Sequence, residues 1–275
     1  MPVKLIATDL DGTLLDSHGN LDQARFKKVY TALCEAGVQL VIASGRQAIE
    51  MAEQFQAYPD LWLVGSNGAE TMQPRTSLIA STFAPEVVRQ ILTILAAYPE
   101  VKVAMCGFET IFVKQTTNPR LLARLQNYYY DVAKVHRLAA VNAAIVKFNI
   151  FCPPALTEQL QYELTPKLAG LAQPIVGEIG SLDLIQPGLD KGKAVRTLSR
   201  RLGITADQMV AFGAGENDLT LLQHAHTGIA VPTAPAWIQA QADAIMDTTQ
   251  TTSVLAYIER RILPHLKKSL VFSEN

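Results

Sequence analysis

The chain reads as an α/β protein: a doubly wound parallel sheet carrying an inserted, smaller α+β domain. Three observations predict this. Short apolar runs of strand length alternate with stretches of helical periodicity, the rhythm of a parallel sheet. Several runs end in polar turns containing glycine, as at Asp11-Gly12-Thr13, Ser44-Gly45-Arg46 and Ser66-Asn67-Gly68. The rhythm changes near Phe83 and returns at Asp190, so residues 1–82 and 187–275 are expected to form the larger domain and residues 83–186 the insert.

Val3 to Thr8 is an apolar run of strand formers. Leu21 to Ala36 places Leu21, Phe26, Val29 and Leu33 at helical spacing and stops at Gly37, a good helix terminator. A strand is expected at Val38 to Ala43, a helix over Gln47 to Ala57 and a third strand at Leu61 to Val64. In the insert, helices are expected over Pro85 to Tyr98, Pro119 to Tyr130 and Ala155 to Leu168. Its strands are expected at Val101 to Met105, Thr110 to Val113, Ile145 to Phe151 and Leu182 to Ile185. Helices then follow over Asp190 to Leu202, Asn217 to His224 and Ser253 to Ile262, with strands at Met209 to Phe212, Gly228 to Val231 and Ala244 to Met246. The tail from Lys267 to Asn275 is expected to be loosely held.

With 49% hydrophobic residues, the chain can fill one large core or two modest ones. Its 24 basic and 25 acidic side chains leave a net charge of -1, which argues against nucleic acid as a partner. Cys34, Cys106 and Cys152 are far apart and odd in number, so reduced thiols in or near the core are expected rather than a disulfide framework. Met1 leads straight into the first apolar run, without the regions of a signal peptide, and no window approaches the roughly 18 apolar residues of a membrane span. The expectation is a cytoplasmic protein with no membrane contact, as a monomer or homodimer.

Ligands of open parallel sheets bind beyond the carboxyl ends of the strands. The polar clusters fall there: Asp9-Leu10-Asp11-Gly12-Thr13, Ser44-Gly45-Arg46, Asn67, and Gly213-Ala214-Gly215-Glu216-Asn217-Asp218, with Lys191 opening the helix after the insert. A carboxylate at Asp9 can attack phosphorus and form an aspartyl-phosphate, splitting hydrolysis into two easier steps. Asp11, two residues on, is placed to protonate the leaving oxygen and then accept a proton from water. Two such close carboxylates repel, and a hard, oxygen-seeking Mg²⁺ between them would lower that cost. Lys191 offers a compact positive charge to phosphoryl oxygens, and Ser44 a hydroxyl beside a backbone N–H.

Taken singly, each cluster has a plainer reading. Asp-x-Asp-Gly is also a solvated turn or a calcium loop, although the EF-hand version fails because Gly12 directly follows the second Asp and no Glu stands at the required distance. Ser-Gly-Arg alone is a turn, Lys191 a surface lysine, and Asn217-Asp218 a helix start. Their joint occurrence at strand ends favours one shared site. His224 with His226 reads as a surface or packing pair, Tyr128-Tyr129-Tyr130 as packing with one tyrosine able to stack on a sugar ring, and Trp62 and Trp237 as core or rim packing. Lys267-Lys268 reads as a solvated tail.

Through these clusters, together with Leu14-Leu15, Ala43, Ala69, Asp190-Lys191-Gly192 and Phe212, the chain resembles the haloacid dehalogenase superfamily and its Cof-type sugar-phosphatase branch over nearly its whole length. The resemblance implies a Rossmann-like core and an inserted type-IIB cap that closes over substrate. It also implies a magnesium-dependent phosphomonoester hydrolase for small phosphorylated metabolites, sugar phosphates leading. On it, Asp9 is nucleophile and metal ligand, and Asp11 is acid/base and offers the metal its backbone carbonyl. The Leu10 N–H, Ser44, the Gly45 N–H, Lys191 and Asn217 hold phosphate, and Arg46 faces substrate or cap. The family pattern has a metal-ligating Asp where this chain has Ala214. Asp218, directly or through water, is then the expected substitute ligand, with Glu216 a weaker one. A weakened phosphatase with a rearranged metal site, a silent phosphate-ester-binding sensor, a deliberately altered chain and a phosphomutase all stay open. Retention of Asp9, Asp11, Ser44 and Lys191 favours the first or third.

Overall fold

A computed structural model describes residues 2–247 and 253–266, and Lys267-Lys268 with the rest of the tail lies outside them. Strand β1 (Leu5–Thr8) is buried at every position. Its unbroken apolar run suits a strand covered on both faces, where an alternating one would not. It lies within a sheet that also contains β2 (Gln39–Ala43), β3 (Trp62–Gly65), β4 (Glu70–Met72) and β5 (Ile79–Ala80). A second sheet follows, built from β6 (Lys102–Cys106), β7 (Thr110–Lys114), β8 (Asp131–Val135), β9 (Lys147–Phe151), β10 (Gln173–Glu178) and β11 (Ser181–Ile185). The chain then returns to the first sheet with β12 (Met209–Gly213), β13 (Thr227–Ala230) and β14 (Ala244–Ile245).

The first sheet has the order β14-β13-β12-β1-β2-β3-β4-β5 and the second β10-β11-β9-β6-β7-β8. From β14 to β3 the first sheet is parallel, as expected, and two short strands add an antiparallel edge to it through the β3–β4 and β4–β5 pairs. Strands β4 and β5 are too short for a period-2 pattern to register. Strand β10 is likewise absent from the sequence expectations; its Pro174 and Gly177 speak against a strand, and both are tolerated because β10 is an edge. Strand β8 begins one residue after Tyr130, the expected end of a helix.

Helices α1 (Gln23–Glu35), α2 (Ala48–Gln54), α3 (Pro85–Leu95), α4 (Pro119–Tyr128), α5 (Thr157–Lys167), α6 (Lys191–Arg201), α7 (Leu219–His224), α8 (Ala236–Gln239) and α9 (Val254–Tyr257) complete the described elements. Three of the starts follow local chemistry: the side chains of Asp22, Asn118 and Asp190 accept N–H groups from the first turns of α1, α4 and α6. Separate apolar cores form on the first sheet and on the second. A smaller cluster joins Ala69 to Cys106, Leu125 and Val146 across the junction between the sheets. Two expectations need correction: Cys34 is exposed, and Trp237 is 53% exposed. Neither packs into a core, because each lies on a helix face turned to solvent.

Candidate active site

The floor of the site grows out of the sheet's carboxyl edge. The Asp9 N–H still donates to the Phe212 carbonyl at 3.0 Å, so the β1–β12 ladder holds Asp9 one residue past the strand. Lys191 opens α6 and is fully buried. Its Nζ donates to Asp9 Oδ1 at 2.7 Å and to Asp218 Oδ1 at 2.6 Å. The other oxygen of Asp218 accepts the main-chain N–H groups of Ala214 (2.9 Å) and Gly215 (3.0 Å). A Cβ at Gly213 would stand 2.5 Å from Asp218 Cβ, so the loop closes this tightly only around glycine.

Two buried carboxylates therefore share one ammonium. Burial pushes the Asp9 carboxyl up to about 7, the Asp218 charge adds to this, and Lys191 opposes it. Burial pulls the Lys191 ammonium down, but Asp218 and Asp9 outweigh it and hold it above the usual lysine range. The Asp11 side chain stands apart, 46% exposed, and is gripped by the Arg46 fork: Nε to Oδ2 at 2.9 Å and Nη2 to Oδ1 at 2.6 Å. Arg46 Nη1 also donates to Glu50 Oε1 at 2.8 Å, and its guanidinium lies 5.7 Å from the ring centroid of Tyr128 on α4. Burial pushes Glu50 up to about 7 against the pull of Arg46.

After β3 the chain passes through Ser66 (φ 48°) and Asn67 (φ 55°), both left-handed and neither glycine. Such residues cost on the order of 1–2 kcal/mol each. The surroundings over-determine them: Ser66 donates its N–H to the Arg46 carbonyl (2.7 Å) and its hydroxyl to Glu70 (2.7 Å), while the Asn67 N–H reaches the Ser44 carbonyl (3.0 Å). The result aims the buried Asn67 amide at both sheets. It accepts from Asn217 Nδ2 at 3.0 Å and donates to Asp183 Oδ2, on β11, at 2.5 Å. Lys147, on β9, bridges Asp183 (3.0 Å) and the Gly45 carbonyl (2.7 Å). Asn149 donates to Asp183 and accepts from the Tyr129 hydroxyl.

A cavity of about 380 Å³ lies between the sheets. Asp9, Asp11, Ser44, Gly45, Arg46, Ala214, Asn217 and Asp218 line it from the first sheet's side, and Tyr128, Tyr129, Lys147, Asn149, Phe151 and Asp183 from the other. Two expected site residues are not on this wall. Leu10 buries its side chain in the first core, and Lys191 lies beneath the two carboxylates. Glu216 needs correction as a candidate metal ligand. Its carboxylate turns to the insert, accepting from Gln161 Nε2 (3.0 and 3.1 Å) and from the Val176 N–H (3.0 Å). Among the described residues no group of three or more His, Cys, Asp and Glu is gathered as a metal cluster. The Asp9, Asp11 and Asp218 side chains do not converge, because Arg46 draws Asp11 aside.

The residues missed at sequence level come from the insert. Lys147, Asn149 and Asp183 sit on strands read as apolar, yet Lys147 and Asn149 are two apart and so share one face of β9. That polar stripe on an otherwise buried strand is the available signal.

The family model of the haloacid dehalogenase-like hydrolases matches residues 6–258. The chain belongs to that family. Among relatives, this hydrolase is 25% identical over 266 residues to the 5-amino-6-(5-phospho-D-ribitylamino)uracil phosphatase YbjI of Escherichia coli, covering 96% of this chain and 98% of that one. It is 29% identical over 231 residues to the HMP-PP phosphatase of Cronobacter sakazakii, covering 82% and 83%. Among solved structures, a Streptococcus mutans protein aligns with a TM-score of 0.87 at 26% identity, covering 98% and 99%. A haloacid dehalogenase subclass IIB sugar phosphatase aligns with a TM-score of 0.78 at 20% identity, covering 95% and 100%, and shows the shared fold. The described residues include no helix long and apolar enough to cross a membrane.

Proposed function

We propose that this hydrolase is a magnesium-dependent phosphatase of small phosphorylated metabolites, sugar phosphates first among them, acting through an aspartyl-phosphate on Asp9. The observation that carries the reading is the buried Lys191 ammonium binding Asp9 and Asp218 beneath a cavity of metabolite size. Residues 1–82 and 187–275 would then be the catalytic domain and residues 83–186 its cap. Relatives named as phosphatases of a phosphoribityl-aminouracil and of pyridoxal phosphate support this substrate class.

The donor set suits a hard cation. Two carboxylates, Asp9 and Asp218, share the single Lys191 ammonium, which occupies only one of the Asp9 oxygens. Asp9, the Asp11 backbone carbonyl and Asp218, directly or through water, would hold Mg²⁺. When bound, the ion would neutralise charge developing on the phosphoryl oxygens. Ala214 contributes only a methyl group, so the ion has one protein carboxylate fewer than the family pattern supplies.

In the first step Asp9 attacks phosphorus, the ester bond breaks, and Asp11 gives the leaving oxygen a proton. In the second, Asp11 takes a proton from a water that attacks the aspartyl-phosphate, releasing phosphate and restoring Asp9. Ser44, the Leu10 and Gly45 N–H groups and Asn217 would orient the phosphoryl oxygens, Lys191 would hold Asp9 from beneath and offer its charge to the phosphoryl group there, and Arg46 would hold Asp11 at the cavity rim until substrate enters. The test is Asp9→Asn with 4-nitrophenyl phosphate and Mg²⁺. Phosphate release should fall by at least about 10³-fold, and an unchanged rate sinks the assignment of Asp9.

A further inference from the structure

Glu216 lies in the loop that carries Asn217 and Asp218, yet its carboxylate leaves the cavity and engages the insert. Its donors, Gln161 Nε2 on α5 and the Val176 N–H on β10, both belong to residues 83–186. The next residue, Asn217, also reaches the insert, through Asn67 to Asp183 on β11. One residue further, Asp218 binds Lys191 and takes the Ala214 and Gly215 N–H groups. Three consecutive side chains thus tie the cap, the phosphate-facing wall and the buried lysine to one short segment. That segment is a single turn, Glu216–Asp218, placed directly before the six-residue α7.

We propose that Glu216 is a positioning residue through which closure of the cap sets the place of its chain neighbours in the wall, Asn217 and Asp218, and with them Lys191. This deepens the phosphatase reading above and rests on it. When the cap is seated, Gln161 and Val176 hold Glu216, and the loop is held where Asp218 meets Lys191. When the cap lifts, Glu216 loses these donors, and a carboxylate without donors turns to water, taking the turn with it. The site is then assembled only under a closed cap, which couples substrate enclosure to catalytic geometry.

The experiment removes the cap's half of the contact and leaves the catalytic wall unaltered. Gln161→Ala and Gln161→Glu are compared with the intact chain in two measurements: turnover of 4-nitrophenyl phosphate with Mg²⁺, and deuterium uptake of the amides of residues 213–219 without substrate. In Gln161→Ala, kcat should fall about tenfold while KM moves less than about twofold, the loss of the Gln161 amide's hydrogen bonding to both oxygens of a charged, half-buried group. Gln161→Glu, which sets two carboxylates face to face, should fall further. Uptake over residues 213–219 should rise in both. The exchange Gln161→Glu with Glu216→Gln restores a donor–acceptor pair and should return both readouts to within about threefold of the intact chain, a rescue that a merely structural role for Gln161 would not produce. Unchanged uptake and unchanged kcat in both single variants overturn the proposal. If the intact chain releases no phosphate, the phosphatase reading falls, and the uptake measurement alone decides whether cap and loop are coupled.

Discussion

Replacing Lys191 with Met keeps the buried stem and removes the ammonium. In the folded protein Lys191 is fully buried and donates at 2.7 and 2.6 Å to Asp9 and Asp218, themselves 6% and 1% exposed. Removing one member of a buried ion pair costs about 3–5 kcal/mol, because the partners stay buried without compensation. For a chain of this size that lowers the melting temperature by roughly 10 °C. The loss should depend on pH. Lys191 is what keeps Asp9 as low as about 7, so without it the folded state holds that proton to still higher pH. The unfolded chain gives it up near about 3.9. A folded state that binds the extra proton loses stability as pH rises, by up to about 1.4 kcal/mol per pH unit for one proton. Thermal melts in metal-free buffer should therefore show a larger deficit for Lys191→Met at pH 8 than at pH 5.5. A deficit below about 1 kcal/mol at both values would refute the claim that the two carboxylates depend on this lysine.

Other outcomes follow from the same geometry. Ala214→Asp should lower the Mg²⁺ concentration giving half-maximal phosphate release by about tenfold, read from metal titrations of turnover; an unchanged titration would mean that position 214 does not face the ion. Gly213→Ala forces a Cβ to within 2.5 Å of Asp218 Cβ, and should cost about 1–3 kcal/mol in urea unfolding along with most of the activity. Lys147→Met leaves Asp183 buried without its cation and frees the Gly45 carbonyl, and should cost about 3 kcal/mol in the same unfolding assay. Full stability in that variant would show that the bridge between the sheets contributes nothing net.

Some of this is legible in the chain itself. Leu5–Thr8 has to be a covered strand, since its run of apolar β formers suits no half-exposed position, and polar residues directly after such strands have to meet at one edge of a parallel sheet. Local chemistry also favours three of the helix starts, because Asp22, Asn118 and Asp190 each cap their own next turn. What local sequence does not encode is direction at a distance. The offset of 182 residues between Asp9 and Lys191 closes only when the sheet is assembled and α6 packs beneath it. Whether Asp11 faces an ion or Arg46, and whether Glu216 faces the cavity or Gln161, depends on partners 35 and 55 residues away. Pairings of that kind are decided by which surfaces the fold brings together and dehydrates, so charged side chains take the partners that tertiary packing leaves within reach.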